Sequence, residues 1–187
     1  MGLALKNPGF NAANYLTWEA EQVEKHEYVN GEVFAMVGAR REHVLVALTV
    51  GARLRSHLKG SRCSAYVSDM KLNVAACNAF YYPDVMVSCD ERDRRADLAL
   101  EHPVLLVEVL SATTAAYDRG DKFAAYRQID SLREYLLVDI EQRRLELFRR
   151  ADDHWVFMET TDALPPLTLE SVGMTISAAE AMEDLAE

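Results

Sequence analysis

The run Pro103-Val104-Leu105-Leu106-Val107-Glu108-Val109-Leu110 constrains the fold more than any other segment of the chain. All of it except Glu108 is apolar, with no alternation between faces, so it reads as a strand buried on both sides in the middle of a sheet. Glu134 to Asp139 is a second strand. Between the two, Ser111 to Ile129 reads as a helix, with Thr113 or Thr114 as cap and Phe123, Tyr126 and Ile129 on one stripe. Strand, helix, strand is the unit that builds α/β domains.

The rest of the chain supplies the surroundings of that unit. Thr17 to Glu21 reads as the start of a short helix, with Thr17 as its cap. Glu27 to Phe34 holds Asn30-Gly31 between apolar pairs, a hairpin signal. His43 to Leu58 reads as a long, largely buried helix on its Val44, Leu45, Leu48, Leu54 and Leu58 spacings. Tyr66 to Leu72 and Tyr81 to Val87 read as strands, the latter with Pro83 near its entrance. Leu145/Leu147 and Trp155/Phe157 suggest a closing meander, and Ser177 with Glu180 forms a capping box for a terminal helix. The expected fold is α/β, a mixed β-sheet flanked by helices with β-hairpin additions.

With 187 residues, the chain suits one domain over 1–187, with a core at about 15–150 and an acidic segment at 151–187. Apolar residues at 50% exclude a disordered chain, and three cysteines are too few for a disulfide-built miniprotein. Cys63, Cys77 and Cys89 lack Cys-x-x-Cys spacing, so reduced thiols in a cytoplasmic protein are expected. No apolar run is long enough for a bilayer and the first ten residues lack a leader pattern, so no membrane partner is expected.

The net charge of -10 is unevenly distributed. Nine acids and no Lys or Arg follow residue 150, leaving 21 acids against 20 bases before it. Within the near-neutral body, Arg40, Arg41, Arg53, Arg55, Lys59 and Arg62 face the single acid Glu42. That stretch is compatible with a phosphate backbone, although taken alone a solvated helix face is the simpler explanation.

Glu108 is the chemical anomaly. Ionised and unpaired in an apolar strand it costs several kcal/mol, so it is neutral, paired or bound to a cation. A Glu paired with Arg or Lys satisfies that demand. So does a metal, because Asp84 also interrupts an apolar run, and two carboxylates on neighbouring strands can share a hard divalent cation. Lys122, on the following helix, is a candidate cationic partner, unless it merely pairs with Asp118 one turn earlier.

Together, Tyr82-Pro83-Asp84-Val85, Val107-Glu108-Val109-Leu110-Ser111, Tyr117-Asp118-Arg119-Gly120-Asp121-Lys122 and Leu132-Arg133-Glu134-Tyr135 resemble a known family. Glu27-Tyr28-Val29-Asn30-Gly31-Glu32 and His43 extend the likeness. The family is the "putative restriction endonuclease" family expanded in cyanobacteria, of the PD-(D/E)XK phosphodiesterase superfamily. The resemblance implies a restriction-endonuclease-like fold and metal-dependent hydrolysis of DNA, with Mg²⁺ or Mn²⁺ as cofactor. Asp84, Glu108 and the carbonyl of Val109 would hold the metal, and Glu27 matches an N-terminal acid that completes the site. The usual Glu-Xaa-Lys is here Glu108-Val109-Leu110, so the lysine role falls to Lys122. Asp84, Glu108 and Lys122 are the expected catalytic residues, and His43 more often caps or packs than acts as a base. DNA is expected to approach through Arg40, Arg41, Arg53, Arg55 and Lys59, and a homodimer suits a duplex with two strands. The alternatives are a nuclease fold kept as a nucleic-acid-binding or assembly module, and a metal hydrolase with another substrate.

Overall fold

Pro103–Val109 forms β9, an interior strand of a six-stranded sheet. The computed structural model describes residues 4–6, 10–36 and 38–185, so the N-terminal stretch read for a leader falls largely outside it. The sheet of β9 runs in the order β12 (His154–Thr161), β11 (Arg144–Ala151), β10 (Glu134–Asp139), β9, β7 (Val85–Ser88), β4 (Ser64–Val67). β9 and β10 are parallel, as a strand-helix-strand unit requires, and β7 joins β9 antiparallel.

A second six-stranded sheet runs β1 (Ala4–Lys6), β3 (Glu32–Ala35), β2 (His26–Val29), β6 (Ala79–Tyr81), β5 (Lys71–Val74), β8 (Ala99–Leu100). The β2–β3 hairpin turns on Asn30 and Gly31, both with positive φ, as the sequence predicts. A small ribbon, β13 (Leu167–Leu169) with β14 (Met174–Ile176), closes the C-terminal part.

Two runs read as single strands divide between the sheets. Tyr66 to Leu72 breaks at Ser68, which has φ 41°, so β4 and β5 belong to different sheets. Tyr81 to Val87 breaks at Pro83-Asp84, where the chain leaves β6 and enters β7. Alternation of apolar residues cannot reveal which sheet a strand joins.

Helices α1 (Ala12–Glu19) and α2 (Arg41–His57) flank the sheets. α1 is capped by Asn11, whose side chain accepts from the N–H of Asn14; Thr17, read as a cap, lies inside it and donates to the carbonyl of Ala13. α2 buries Val46, Val50 and Leu54 against Val85, Val87, Leu105 and Val107. Val44 and Leu48, read as core, face solvent at 52% and 61% exposure. Gly51 explains the shift of the buried stripe: an added Cβ there would meet Val67 Cγ1 at 2.8 Å, so the helix lies closest to the sheet on that line.

The other face of the β9 sheet, with Met86, Leu106, Tyr135 and Leu137, packs on Leu72, Val74 and Tyr81 of the second sheet. Each such buried side chain contributes about 1.5–3 kcal/mol of transfer free energy. The expected helix spans Ala115 to Tyr126 in three parts: α3 (Ala115–Tyr117), a π-helical turn (Asp118–Lys122) and α4 (Phe123–Tyr126). Thr114 precedes it without a side-chain cap.

The acidic C-terminal segment folds onto the α2 face. α5 (Ala178–Ala181) starts at the predicted capping box, and Ala178, Ala181 and Met182 join the same core as Val50. Cys63 and Cys89 correct the expectation of reduced thiols. They flank the cross-strand pair Ser64–Ser88 and form a disulfide with Cα atoms 4.0 Å apart. Their sequence separation of 26 gave no sign of that adjacency.

Candidate active site

Asp84 sits where the chain passes from one sheet to the other. The pairing Val85–Val107 sets it opposite Glu108 when continued one step. Its Oδ2 accepts the backbone N–H of Val109 at 2.8 Å, and its Oδ1 lies 2.9 Å from His43 Nε2, in the first turn of α2. Glu108 Oε1 accepts from Lys122 Nζ at 3.1 Å and from the Tyr126 hydroxyl at 2.7 Å. Lys122 Nζ is also 3.1 Å from Glu27 Oε1 on β2 and 3.5 Å from Asp118 Oδ1. Two sheets and one helix thus bring Glu27, Asp84, Glu108 and Lys122 together.

The helix part of this arrangement depends on its irregular turn. Asp118 and Lys122 are both buried at the two ends of the π-helical turn and bridge to each other. Wider turns of this kind occur frequently at functional sites. In an exposed helix such a pair is worth a few tenths of a kcal/mol. Here both charges are shielded from water, and the pair is one edge of a larger cluster.

Charge is the dominant property of the site. Burial pushes Glu108 well above the usual carboxylate range; Lys122 pulls it down, and Asp84 and Asp118 push it up again. Asp118 is likewise raised, first by burial. Burial alone would lower Lys122, but Glu108, Glu27 and Asp118 together outweigh it and hold the ammonium well above its usual value. His43 is also raised: its burial opposes charge, while the hydrogen bond and charge of Asp84 favour it. Three carboxylates therefore surround one ammonium, with Asp84 beside Glu108 and one imidazole at the edge.

Glu27 Oε1 is buried and lacks a hydrogen bond, although it is within ion-pair distance of Lys122, because the alignment is poor. Among the described residues no three Asp, Glu, His or Cys side chains form a ready-made metal cage. Glu27, Glu108 and Asp118 turn towards Lys122 instead, and Asp84 towards His43 and the Val109 N–H. Tyr126→Phe removes one of the two donors to Glu108 and is expected to cost about 1–2 kcal/mol in urea unfolding. It should also raise the Glu108 pKa further, since the phenol favours the ionised form.

The basic stretch of α2 does not converge on these groups. Arg40 and Arg41 stand exposed at the start of the helix, close to His43. Arg53 lies ten residues beyond His43, about 15 Å along the axis. It is paired with Glu180 at 3.5 Å and Glu183 at 2.5 Å. Arg55 is exposed on the same distal half, and Lys59 follows the helix end. The acidic tail neutralises Arg53, a long-range pairing that local charge counting cannot register.

Sequence reasoning also passed over residues that the structure places at or behind the site. Asp118 was seen only as a surface partner of Lys122, and Tyr126 only as an apolar stripe position. Glu19 drew no attention, yet it is buried, and its Oε1 accepts from the His26 N–H at 2.9 Å and the Tyr82 hydroxyl at 2.8 Å. Its available signal was an acid close to several aromatic residues, too common to single out.

Residues 12–179 match the profile of the Uma2 family, described as "Putative restriction endonuclease". The chain belongs to the Uma2 family. It is 36% identical over 171 residues to an uncharacterized protein of Synechocystis sp., covering 91% of this chain and 90% of that relative. A second uncharacterized protein of the same organism is 34% identical over 151 residues, covering 79% and 85%. A crystal structure from Anabaena variabilis, described as a putative nuclease belonging to DUF820, shares the fold. It superposes with a TM-score of 0.75 at 16% identity, over 93% of this chain and 98% of that one. Family and fold together support a nuclease-like function and confirm the mixed α/β architecture read from the sequence. In this Uma2 protein the ammonium beside Glu108 comes from the helix and not from the strand. No helix among the described residues is long and apolar enough to cross a membrane.

Proposed function

We propose that this Uma2 protein is an endodeoxyribonuclease that hydrolyses phosphodiester bonds at Asp84, Glu108 and Lys122 with the help of Mg²⁺ or Mn²⁺. The observation that carries the reading is the excess of carboxylates, Glu27, Glu108 and Asp118 around the ammonium of Lys122 with Asp84 beside Glu108. Hard oxygen donors in excess, one of them without a hydrogen bond, fit a divalent cation of this kind. Asp84, Glu108, the Val109 carbonyl and Glu27 would hold it. When bound, such a cation polarises the scissile phosphate and lowers the pKa of water.

The chain's own groups supply the rest. Lys122 is held by three carboxylates in one orientation, so its ammonium is pre-positioned to orient a water or offset negative charge developing on the phosphate. Val109 N–H fixes the Asp84 carboxylate from behind, leaving Oδ1 towards His43 and the opening. Glu134, fully buried, accepts from Arg149 and from the N–H groups of Glu170 and Ser171, anchoring the C-terminal part to the strand beside β9. A two-fold homodimer would offer the same site to each strand of a duplex.

The pairing of Glu27, Glu108 and Asp118 with Lys122 favours a second reading, a nuclease fold that binds nucleic acid without cutting it. Incubation with supercoiled plasmid in Mg²⁺ and in Mn²⁺ separates the two. The wild type is expected to nick, and Asp84→Asn to lose at least about a hundredfold. Nicking that survives in Asp84→Asn would overturn the assignment, and intact DNA binding without nicking by the wild type would establish the second reading.

A further inference from the structure

We infer that the end of the second sheet beside Asp84 is a landing for the phosphate backbone of the nucleic-acid strand, formed by Lys25 and Lys71 with Arg40 and Arg41 across the opening. The inference rests on the nucleic-acid reading above and replaces the distal half of α2 as the approach surface.

Strand register places the two lysines. β2 pairs with β6 through Tyr28–Phe80, and β6 pairs with β5 through Leu72–Tyr81. Continued to the sheet end, the same register sets Tyr82 between His26 on one side and Lys71 on the other, with Lys25 next to His26. Side-chain positions agree: Lys25 Nζ lies 5.8 Å and Lys71 Nζ 5.3 Å from the centre of the Tyr82 ring. Tyr82 is two residues ahead of Asp84. Ser68 closes the link, since its N–H donates to the Asp84 carbonyl at 3.2 Å and its carbonyl accepts from Lys25 Nζ at 3.4 Å. Two short steps through one residue therefore connect the Lys25 ammonium to the backbone of Asp84.

The opposite rim is built by the approach to α2. β3 ends at Ala35 beside His26, and the chain enters α2 with Arg40 and Arg41 exposed, just ahead of the His43 contact with Asp84. Lys25 and Lys71 on one side and Arg40 and Arg41 on the other thus flank the segment Tyr82–Asp84, while Glu27, Glu108 and Asp118 are turned inward on Lys122. The acids on this rim, Glu42, Asp69 and, beside Lys71, Asp97, are exposed. Asp69 pairs with Lys25 at the surface, where its side chain is 83% exposed. A pair so hydrated is worth little and yields readily to a phosphate. Contacts of this kind position a backbone without reading its sequence.

The test is binding, independent of cleavage: fluorescence anisotropy of a labelled 20-base-pair DNA duplex in EDTA, from 50 to 200 mM salt. Lys25→Gln combined with Lys71→Gln is expected to weaken binding roughly tenfold at the low-salt end and to flatten the log–log salt slope by about 2. Asp69→Asn should tighten binding, a gain that misfolding cannot mimic, and Arg55→Gln with Lys59→Gln should leave both quantities unchanged. Wild-type affinity and slope in the Lys25/Lys71 variant, or loss on changing Arg55 and Lys59, overturns the landing alone. A wild type showing no salt-dependent binding overturns the nucleic-acid reading and the landing with it.

Discussion

Replacing Lys122 by methionine is expected to abolish cleavage and to lower stability by about 3–5 kcal/mol at neutral pH. Methionine fills much of the same volume, so the cost is electrostatic. Glu27, Glu108 and Asp118 lose the one ammonium that all three contact. Glu108 and Asp118 already have folded-state pKa values above their ordinary 4.5 and 3.8 through burial, and without Lys122 both rise further. A carboxyl raised in the folded state stabilises it below the unfolded pKa and loses that contribution as pH climbs through the folded value. The variant should therefore be weakest at neutral and alkaline pH and recover on acidification towards pH 4. In the wild type Lys122 is raised above 10.5, so its contribution persists throughout that range and fades only as pH rises beyond it. Urea unfolding of both proteins from pH 4 to 9 checks the account. A deficit that is the same at every pH would show that Lys122 acts through packing alone.

The parts of this molecule legible in its sequence are those governed by local rules. The apolar run of Pro103–Val109, broken only by Glu108, could be only an interior strand, Asn30-Gly31 only a tight turn, and Ser177 with Glu180 a helix start; the structure has all three. Glu108 was conspicuous because an acid in that run has a physical cost that some partner must offset. The partner set was harder. Lys122 had a clear candidacy, but its direction depends on a π-helical turn that no periodicity announces. The split of Tyr66 to Leu72 between two sheets, the Cys63–Cys89 neighbourhood and the pairing of Arg53 with the C-terminal acids all depend on residues far apart in the chain. The misread stripe of α2 has a similar origin. Its spacing supports more than one apolar line, and the close approach of Gly51 to Val67 selects the one through Val46, Val50 and Leu54.

Glu19→Ala is expected to cost about 3–5 kcal/mol and to reduce cleavage by about a hundredfold, although Glu19 is not among the residues grouped around Lys122. Its carboxylate accepts from the backbone of His26, the residue before Glu27, and from the hydroxyl of Tyr82, two residues before Asp84. Its second oxygen lies 3.2 Å from His26 Nδ1, and the Tyr15 hydroxyl donates to the His26 carbonyl at 2.5 Å. One buried side chain of α1 thereby fixes both segments that deliver acids to the site. Alanine would leave the His26 N–H and the Tyr82 hydroxyl without an acceptor in a buried environment, each costing about 1–3 kcal/mol. The effect on turnover follows from placement, because displacement of a reacting group by about 1 Å can cost a hundredfold. Glu19→Gln separates stability from placement, since its amide oxygen can still accept one of the two bonds. It should recover part of the stability, while kcat stays well below wild type and KM for DNA is unchanged, because no nucleic acid reaches this buried position. A glutamine variant with wild-type kcat would show that either segment holds its position without the full carboxylate. Equal losses in kcat and DNA affinity would instead indicate general loosening of the second sheet.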